Sequence, residues 1–187
     1  WGIMKFLEYS KESLPKMITI QNPYSLLNRL FEVGSSEICK RENIGLLGYS
    51  PLGFGILTGK YFDNKIPENS RLNLFPNLKR YNSKNSMNAS LMYNKIARKY
   101  NISLTHLALS FVNDRPFVTS NIIGATNLKQ LEENIKSIEI KPKYIVQTDN
   151  QLLSFKVFIN SKKRAPKIFT RFFENQFFLI FHVFWSI

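Results

Sequence analysis

The apolar residues of this chain fall into short runs that switch between a helical and an alternating period. Ile3, Met4 and Leu7 sit at helical spacings within Trp1 to Leu14, and Pro15 predicts the end of that helix. Met17 to Gln21 reads as a short strand. Phe31 to Arg41 predicts a second helix, weakened at Gly34 because glycine loses more backbone freedom there than any other residue. Ile44 to Tyr49 has the pattern of the next strand. From Ser50 to about Ser83 the chain is rich in Asn, Pro and Lys and shows no period; a stretch of that kind is expected to be structureless, and then functional or disordered. A helix over Ser86 to Tyr100 would carry Ala89, Met92, Tyr93, Ile96 and Ala97 on one face. Ser103 to Asn113 gives the cleanest signal: Leu104, Leu107, Ala108, Phe111 and Val112 recur at i, i+3, i+4, i+7 and i+8, and Pro116 closes the run. Phe117 to Ile123 predicts a third strand. Asn127, followed three residues later by Gln130, has the form of a capping box at the start of a last helix.

Strands separated by helices imply parallel pairing and an α/β class. With 187 residues and 44% apolar content the chain is long enough for one globular domain with its own core. The net charge of +13 invites a nucleic-acid or membrane-surface partner. Its distribution argues otherwise: the segment from Lys141 onward holds eight Lys and Arg against two Asp and Glu, so residues 1 to 140 are only mildly basic. The run Lys162-Lys163-Arg164-Ala165-Pro166-Lys167 carries no recognition motif beside it and reads as a solvated tail. Phe177 to Ile187 is apolar but far short of the roughly 20 residues that a spanning helix needs. The single cysteine, Cys39, excludes an intrachain disulfide and points to a reducing, cytoplasmic setting. Neither His106 nor His182 has partners at metal-ligand spacing, so no metal is expected. Trp1 opens the chain without a signal-peptide pattern, and the start is expected not to be a native terminus.

Candidate chemistry concentrates in two places. Leu46-Leu47-Gly48-Tyr49-Ser50-Pro51-Leu52-Gly53-Phe54-Gly55-Ile56-Leu57-Thr58-Gly59-Lys60-Tyr61 is an apolar strand running into a glycine-rich loop that ends in a cation. Glycines let backbone N–H groups approach an anion with no Cβ in the way. Ile122-Ile123-Gly124-Ala125-Thr126-Asn127-Leu128-Lys129-Gln130-Leu131-Glu132-Glu133-Asn134-Ile135 repeats the logic as strand, glycine turn and helix N-terminus. Gln130, Glu133 and Asn134 stand at i, i+3 and i+4, so one helix face is expected to present all three. Blander readings stay open: Tyr49 as a core tyrosine, Lys60 and Arg71 as solvated loop charges, and the last helix as a capped amphipathic element whose polar face meets water.

Together with Ile18-Thr19-Ile20-Gln21-Asn22-Pro23-Tyr24-Ser25-Leu26-Leu27-Asn28-Arg29, these segments resemble the C-terminal half of the aldo-keto reductases, most closely the bacterial Tas-type branch. The likeness runs from Trp1 to about Ile140. It implies an eight-stranded (β/α) barrel, of which this chain would hold roughly the last three strands and their helices. The resemblance also implies an NADP(H) site: Gln21 on the nicotinamide carboxamide, Tyr49 stacked on its ring, and Ser50, Leu52, Gly53 and Phe54 around the pyrophosphate. Lys60 and Arg71 would reach the phosphates, with Gly124, Thr126, Gln130, Glu133 and Asn134 at the adenosine end. In the family the catalytic Tyr, Lys, Asp and His lie in the N-terminal half, so no residue here is expected to be catalytic.

The reading that follows is a fragment of an NADP(H)-dependent carbonyl reductase that retains the cofactor-binding half and acts, once complemented by an N-terminal half, on a small carbonyl substrate. The alternatives are a non-catalytic remnant or a basic nucleic-acid or membrane-surface binder. Residues 141 to 187 read as a divergent, basic and aromatic, non-native extension.

Overall fold

Three strands pair in sequence order into one parallel sheet: β1 (Thr19–Pro23), β2 (Gly45–Tyr49) and β3 (Val118–Ile122). This arrangement comes from a computed structural model that describes residues 1–11, 14–77 and 80–140. The expectations for the segment from Lys141 onward lie outside the described residues. The register sets Gln21 beside Leu47 and Pro23 beside Tyr49, then Leu47 beside Ser120 and Tyr49 beside Ile122. Between Leu46 and Leu47 the pairing with β3 shifts, which inserts Thr119 as an extra residue on that strand.

One face of the sheet is covered. Leu46 and Gly48 are buried, and a Cβ built on Gly48 would meet Val112 at 3.6 Å and Tyr24 at 3.7 Å. The covering element is α5 (Leu104–Asn113), with Ser103 accepting a hydrogen bond from the His106 N–H as N-cap. Eight of its ten residues are buried, more than the predicted apolar stripe, because α4 (Lys84–Lys99) and α6 (Leu128–Lys136) enclose its other sides. Tyr24, Phe31, Leu46, Phe111 and Phe117 belong to the main core, where the Tyr24 ring stacks on Phe111 at 5.8 Å and meets Phe117 edge-on at 5.2 Å.

The opposite face is open among the described residues. Thr19 and Gln21 are exposed, and Leu47 and Tyr49 stay partly exposed although their strand is central. The outer edges of β1 and β3 have no strand partner there either.

Several boundaries differ from the sequence expectation for local reasons. Helix α1 (Gly2–Ser10) ends earlier than predicted. The helix expected over Phe31 to Arg41 divides at Gly34 into a 3₁₀ turn (Leu30–Val33) and α2 (Ser35–Glu42), as glycine's poor helix propensity allows. β1 begins later than predicted and runs to Pro23, which an outer strand tolerates despite the missing N–H. The largest correction concerns the stretch after Ser50, which is not structureless. It contains 3₁₀ turns at Gly53–Thr58 and Phe62–Asn64, a short helix α3 (Arg71–Leu74), and a core of its own made by Ile56, Tyr61, Leu72 and Tyr81. Those apolar residues are spaced by turns rather than by a regular period, so periodicity could not reveal them.

Candidate functional site at the strand ends

Because the strands are parallel, their C-terminal residues Pro23, Tyr49 and Ile122 lie in one row across the sheet. Each leads into one of the segments singled out above. Gln21 and Tyr49 point to the same, open face, since side chains two apart on a strand share a face and Pro23 is level with Tyr49. The chain turns immediately after Tyr49: Ser50 has φ 57°, in the left-handed region.

Beyond it, Gly53, Phe54 and Gly55 are left-handed in succession, with φ 53°, 59° and 89°. That conformation is costly for a bulky residue such as Phe54, and residues held this way concentrate at binding and switch sites. At Gly55 the absent side chain has a direct use. A Cβ there would stand 2.7 Å from Lys60 Cε and 3.0 Å from Lys60 Nζ, so the lysine folds back over the turn. Its ammonium also lies 5.2 Å from the centre of the Tyr61 ring. The Arg71 guanidinium sits 5.1 Å from the Phe54 ring centre, and Phe54 meets Tyr81 edge-on at 5.0 Å. Tyr61 OH accepts the Leu72 N–H at 3.3 Å and thereby ties α3, with Arg71 at its start, to the turn. Among the described residues neither Lys60 nor Arg71 is paired with a carboxylate. Sequence reasoning selected Ser50, Leu52, Gly53, Phe54, Lys60 and Arg71, and the structure gathers all six within this one folded loop. It missed the ring of Tyr61, which lies beneath Lys60, and that of Tyr81, which packs on Phe54; the adjacency of Lys60 and Tyr61 was the available signal.

The third segment is packed more tightly than its helical spacing suggested. Asn127 caps α6, its Oδ1 accepting the Gln130 N–H at 3.0 Å. The reciprocal bond of the box is displaced by one residue: Gln130 Oε1 accepts from the N–H and from Oγ1 of Thr126, each at 3.0 Å. Asn134 is 5% exposed, and its Nδ2 donates to the Gly124 carbonyl at 3.3 Å. Glu133 accepts from Ser103 Oγ at 2.9 Å, while its own carbonyl lies 3.0 Å from His106 Nε2. The expectation of one helix face presenting Gln130, Glu133 and Asn134 together is corrected accordingly. Gln130 and Thr126 remain at the surface, Asn134 fastens the glycine turn to the helix, and Glu133 turns toward the start of α5. The N–H of Thr126 is taken by Gln130.

Among the described residues there is no cluster of three or more His, Cys, Asp or Glu able to hold a metal ion. No helix there is long and apolar enough to cross a membrane.

Parallel βα units with glycine-containing loops beyond the strand C-termini define an α/β protein whose candidate ligand site lies among the strand-end loops. The profile of the Aldo/keto reductase family matches residues 1–149, and the chain belongs to that family. It is 44% identical over 142 residues to "Protein tas" of Escherichia coli strain K12, which covers 75% of this chain and 41% of that protein. An "Aldo-keto reductase" of Babesia bovis is 39% identical over 142 residues, covering 72% of this chain and 50% of the relative. "L-glyceraldehyde 3-phosphate reductase" of Escherichia coli strain K12 is 30% identical over 157 residues, covering 79% and 45%. The chain thus spans at most half the length of these curated relatives.

Proposed function

We propose that this chain is the cofactor-binding half of an NADP(H)-dependent aldo-keto reductase, a partial (β/α) barrel holding roughly the last three strands and their helices. The observation that carries the reading is Lys60 folded over the left-handed turn that follows Tyr49. A dinucleotide fits such a site: Gly55 leaves room for Lys60 to fold over the turn, two cations that have no carboxylate partner among the described residues lie in this loop, and a flat ring ends the central strand. When bound, the nicotinamide supplies a hydride for a carbonyl carbon.

In this reading Tyr49 fixes the orientation of the nicotinamide ring, and Gln21, on the same open face, bonds its carboxamide through an amide that donates and accepts at once. Lys60 and Arg71 neutralise the pyrophosphate, with Ser50, Leu52, Gly53 and Phe54 shaping the turn around it. Gly124, Thr126, Gln130, Glu133 and Asn134 form the adenosine end, where Gln130 and Thr126 are the surface groups nearest a 2′-phosphate and Glu133 and Asn134 hold the helix in place. No residue of this chain is assigned the proton transfer to the carbonyl oxygen. That group belongs to a complementing N-terminal half, for which the sheet face and the two strand edges left open among the described residues leave room. The whole enzyme would act on a small carbonyl compound in the cytoplasm. Residues 1 to 140 form the reductase part and 141 to 187 a divergent tail.

Titration of the full chain with NADPH, followed by quenching of protein fluorescence, tests this. Binding is expected, with Tyr49→Ala and Lys60→Ala each weaker by roughly 1 to 3 kcal/mol, and the Lys60 difference is expected to shrink as salt rises. No aldehyde-dependent NADPH oxidation above background is expected from the chain alone, because positioning a cofactor does not supply a general acid. A parent chain and variants that all bind equally, or none that binds, would overturn the reading.

A further inference from the structure

The segment Asn22-Pro23-Tyr24-Ser25-Leu26-Leu27-Asn28-Arg29 belongs to the sequence likeness, yet apart from Gln21 beside it nothing in the proposed site accounts for it. Its structure is a tightly fastened loop. Ser25 and Asn28 exchange backbone hydrogen bonds at 3.0 and 3.1 Å, and Tyr93 OH on α4 donates to the Leu26 carbonyl at 3.3 Å. Arg29 grips Glu32 with two bonds, Nε to Oε1 at 2.8 Å and an η-nitrogen to Oε2 at 2.6 Å. Glu32 Oε1 also accepts from Tyr24 OH at 2.5 Å. The Glu32 side chain is 10% exposed and the Tyr24 residue fully buried.

This loop touches the proposed cofactor site at two points. The Tyr24 N–H donates to the Tyr49 carbonyl at 3.1 Å, fastening the end of β2 just before the chain turns at Ser50. The Leu27 side chain stands 3.1 Å from where a Cβ on Gly53 would lie, so it lies directly against the start of the left-handed turn. Neither contact involves the Gly124 to Asn134 segment.

We propose that Glu32, acting through Arg29 and Tyr24, is a positioning residue that holds loop 24–32 against Tyr49 and Gly53 and so sets the nicotinamide and pyrophosphate part of the site, not its adenosine end. The inference rests on the cofactor reading above. Its physical basis is that a buried carboxylate with three hydrogen bonds holds one loop geometry, whereas losing one partner leaves the others buried and unpaired. Burial and the bond to Glu32 push the Tyr24 phenol well above its ordinary pKa, so its hydroxyl remains a donor to that carboxylate.

The test compares two ligands on the full chain: NADPH, which needs both ends of the site, and adenosine 2′-monophosphate, which lacks the pyrophosphate and needs only the adenosine end. Tyr24→Phe, which keeps the buried ring, and Glu32→Gln, which keeps the shape of the carboxylate, are expected to weaken NADPH roughly tenfold. Both should leave adenosine 2′-monophosphate within about twofold of the parent. Glu32→Asp is expected to restore part of the NADPH affinity. A general loss of folding would lower both affinities together and would overturn the proposal, as would equal NADPH binding by parent and Tyr24→Phe. A parent chain that binds neither ligand refutes the cofactor reading itself, and this inference with it.

Discussion

Thr119 Oγ1 occupies the place where a side chain at Gly45 would begin: a Cβ on that glycine would lie 1.9 Å from the hydroxyl oxygen and 2.9 Å from Thr119 Cβ. The crowding accompanies the register shift that inserts Thr119 into the pairing of β2 with β3. Gly45→Ala is therefore expected to destabilise the fold by about 1 to 3 kcal/mol, as overpacking does. Gly124→Ala, which meets nothing within 4 Å, serves as the neutral control. Urea unfolding midpoints of the two variants check the contrast.

The Arg29–Glu32–Tyr24 cluster should make stability depend on acidity. Burial pushes the Glu32 carboxyl up, but hydrogen bonds from Arg29 and Tyr24, with the charges of Arg29 and Arg115, outweigh it and hold the group below its ordinary pKa. A carboxylate depressed in the folded state contributes fully above its unfolded pKa of about 4.3 and less as pH falls through its folded value. Thermal midpoints of the parent should thus decline below about pH 4 to 5. Glu32→Gln should start lower at neutral pH, by on the order of 3 kcal/mol, and show a smaller acid-induced drop. Parallel midpoint curves for the two proteins would contradict the assignment.

Ser103 has two tasks, capping α5 and donating to Glu133 on α6. Ser103→Ala should cost about 1 to 2 kcal/mol, and Glu133→Gln, which retains an acceptor, less. Amide hydrogen exchange should show the loss as faster opening of the first turn of α5.

Among the described residues the sheet has two unpaired edges and a partly bared face with Leu47 and Tyr49 on it, which predicts self-association. Sedimentation of the isolated chain should show a soluble assembly at micromolar concentration, and a monodisperse monomer would count against this. Co-expression with the N-terminal half of a Tas-type relative is expected to shift the chain toward a defined complex.

What the sequence disclosed depended on how regular each signal was. The stripe on α5 and the cap at Asn127 were legible because helix periodicity and side-chain capping act within a few residues. The parallel sheet followed from strands separated by helices. The loop core of Ile56, Tyr61, Leu72 and Tyr81 was hidden, since its members meet through irregular turns. The candidate site divides in the same way. Lys60 and the glycines after Tyr49 carry their chemistry in their residue types and spacing, but Glu133 is drawn to Ser103 at the start of α5 and Asn134 to the Gly124 carbonyl, partners that spacing on one helix does not contain.

The position of Lys60 has a thermodynamic consequence. A free lysine side chain loses up to about 2 kcal/mol of rotamer entropy when it is fixed. Here the Gly55 hollow and the Tyr61 ring hold the ammonium over the turn through contacts within the chain, so that loss accompanies folding and is not incurred again when an anion arrives. A bulkier residue at Gly55 would act on affinity without touching any ligand, by returning the lysine to a broad set of rotamers. Preorganisation at this site thus resides in the absence of one methyl group.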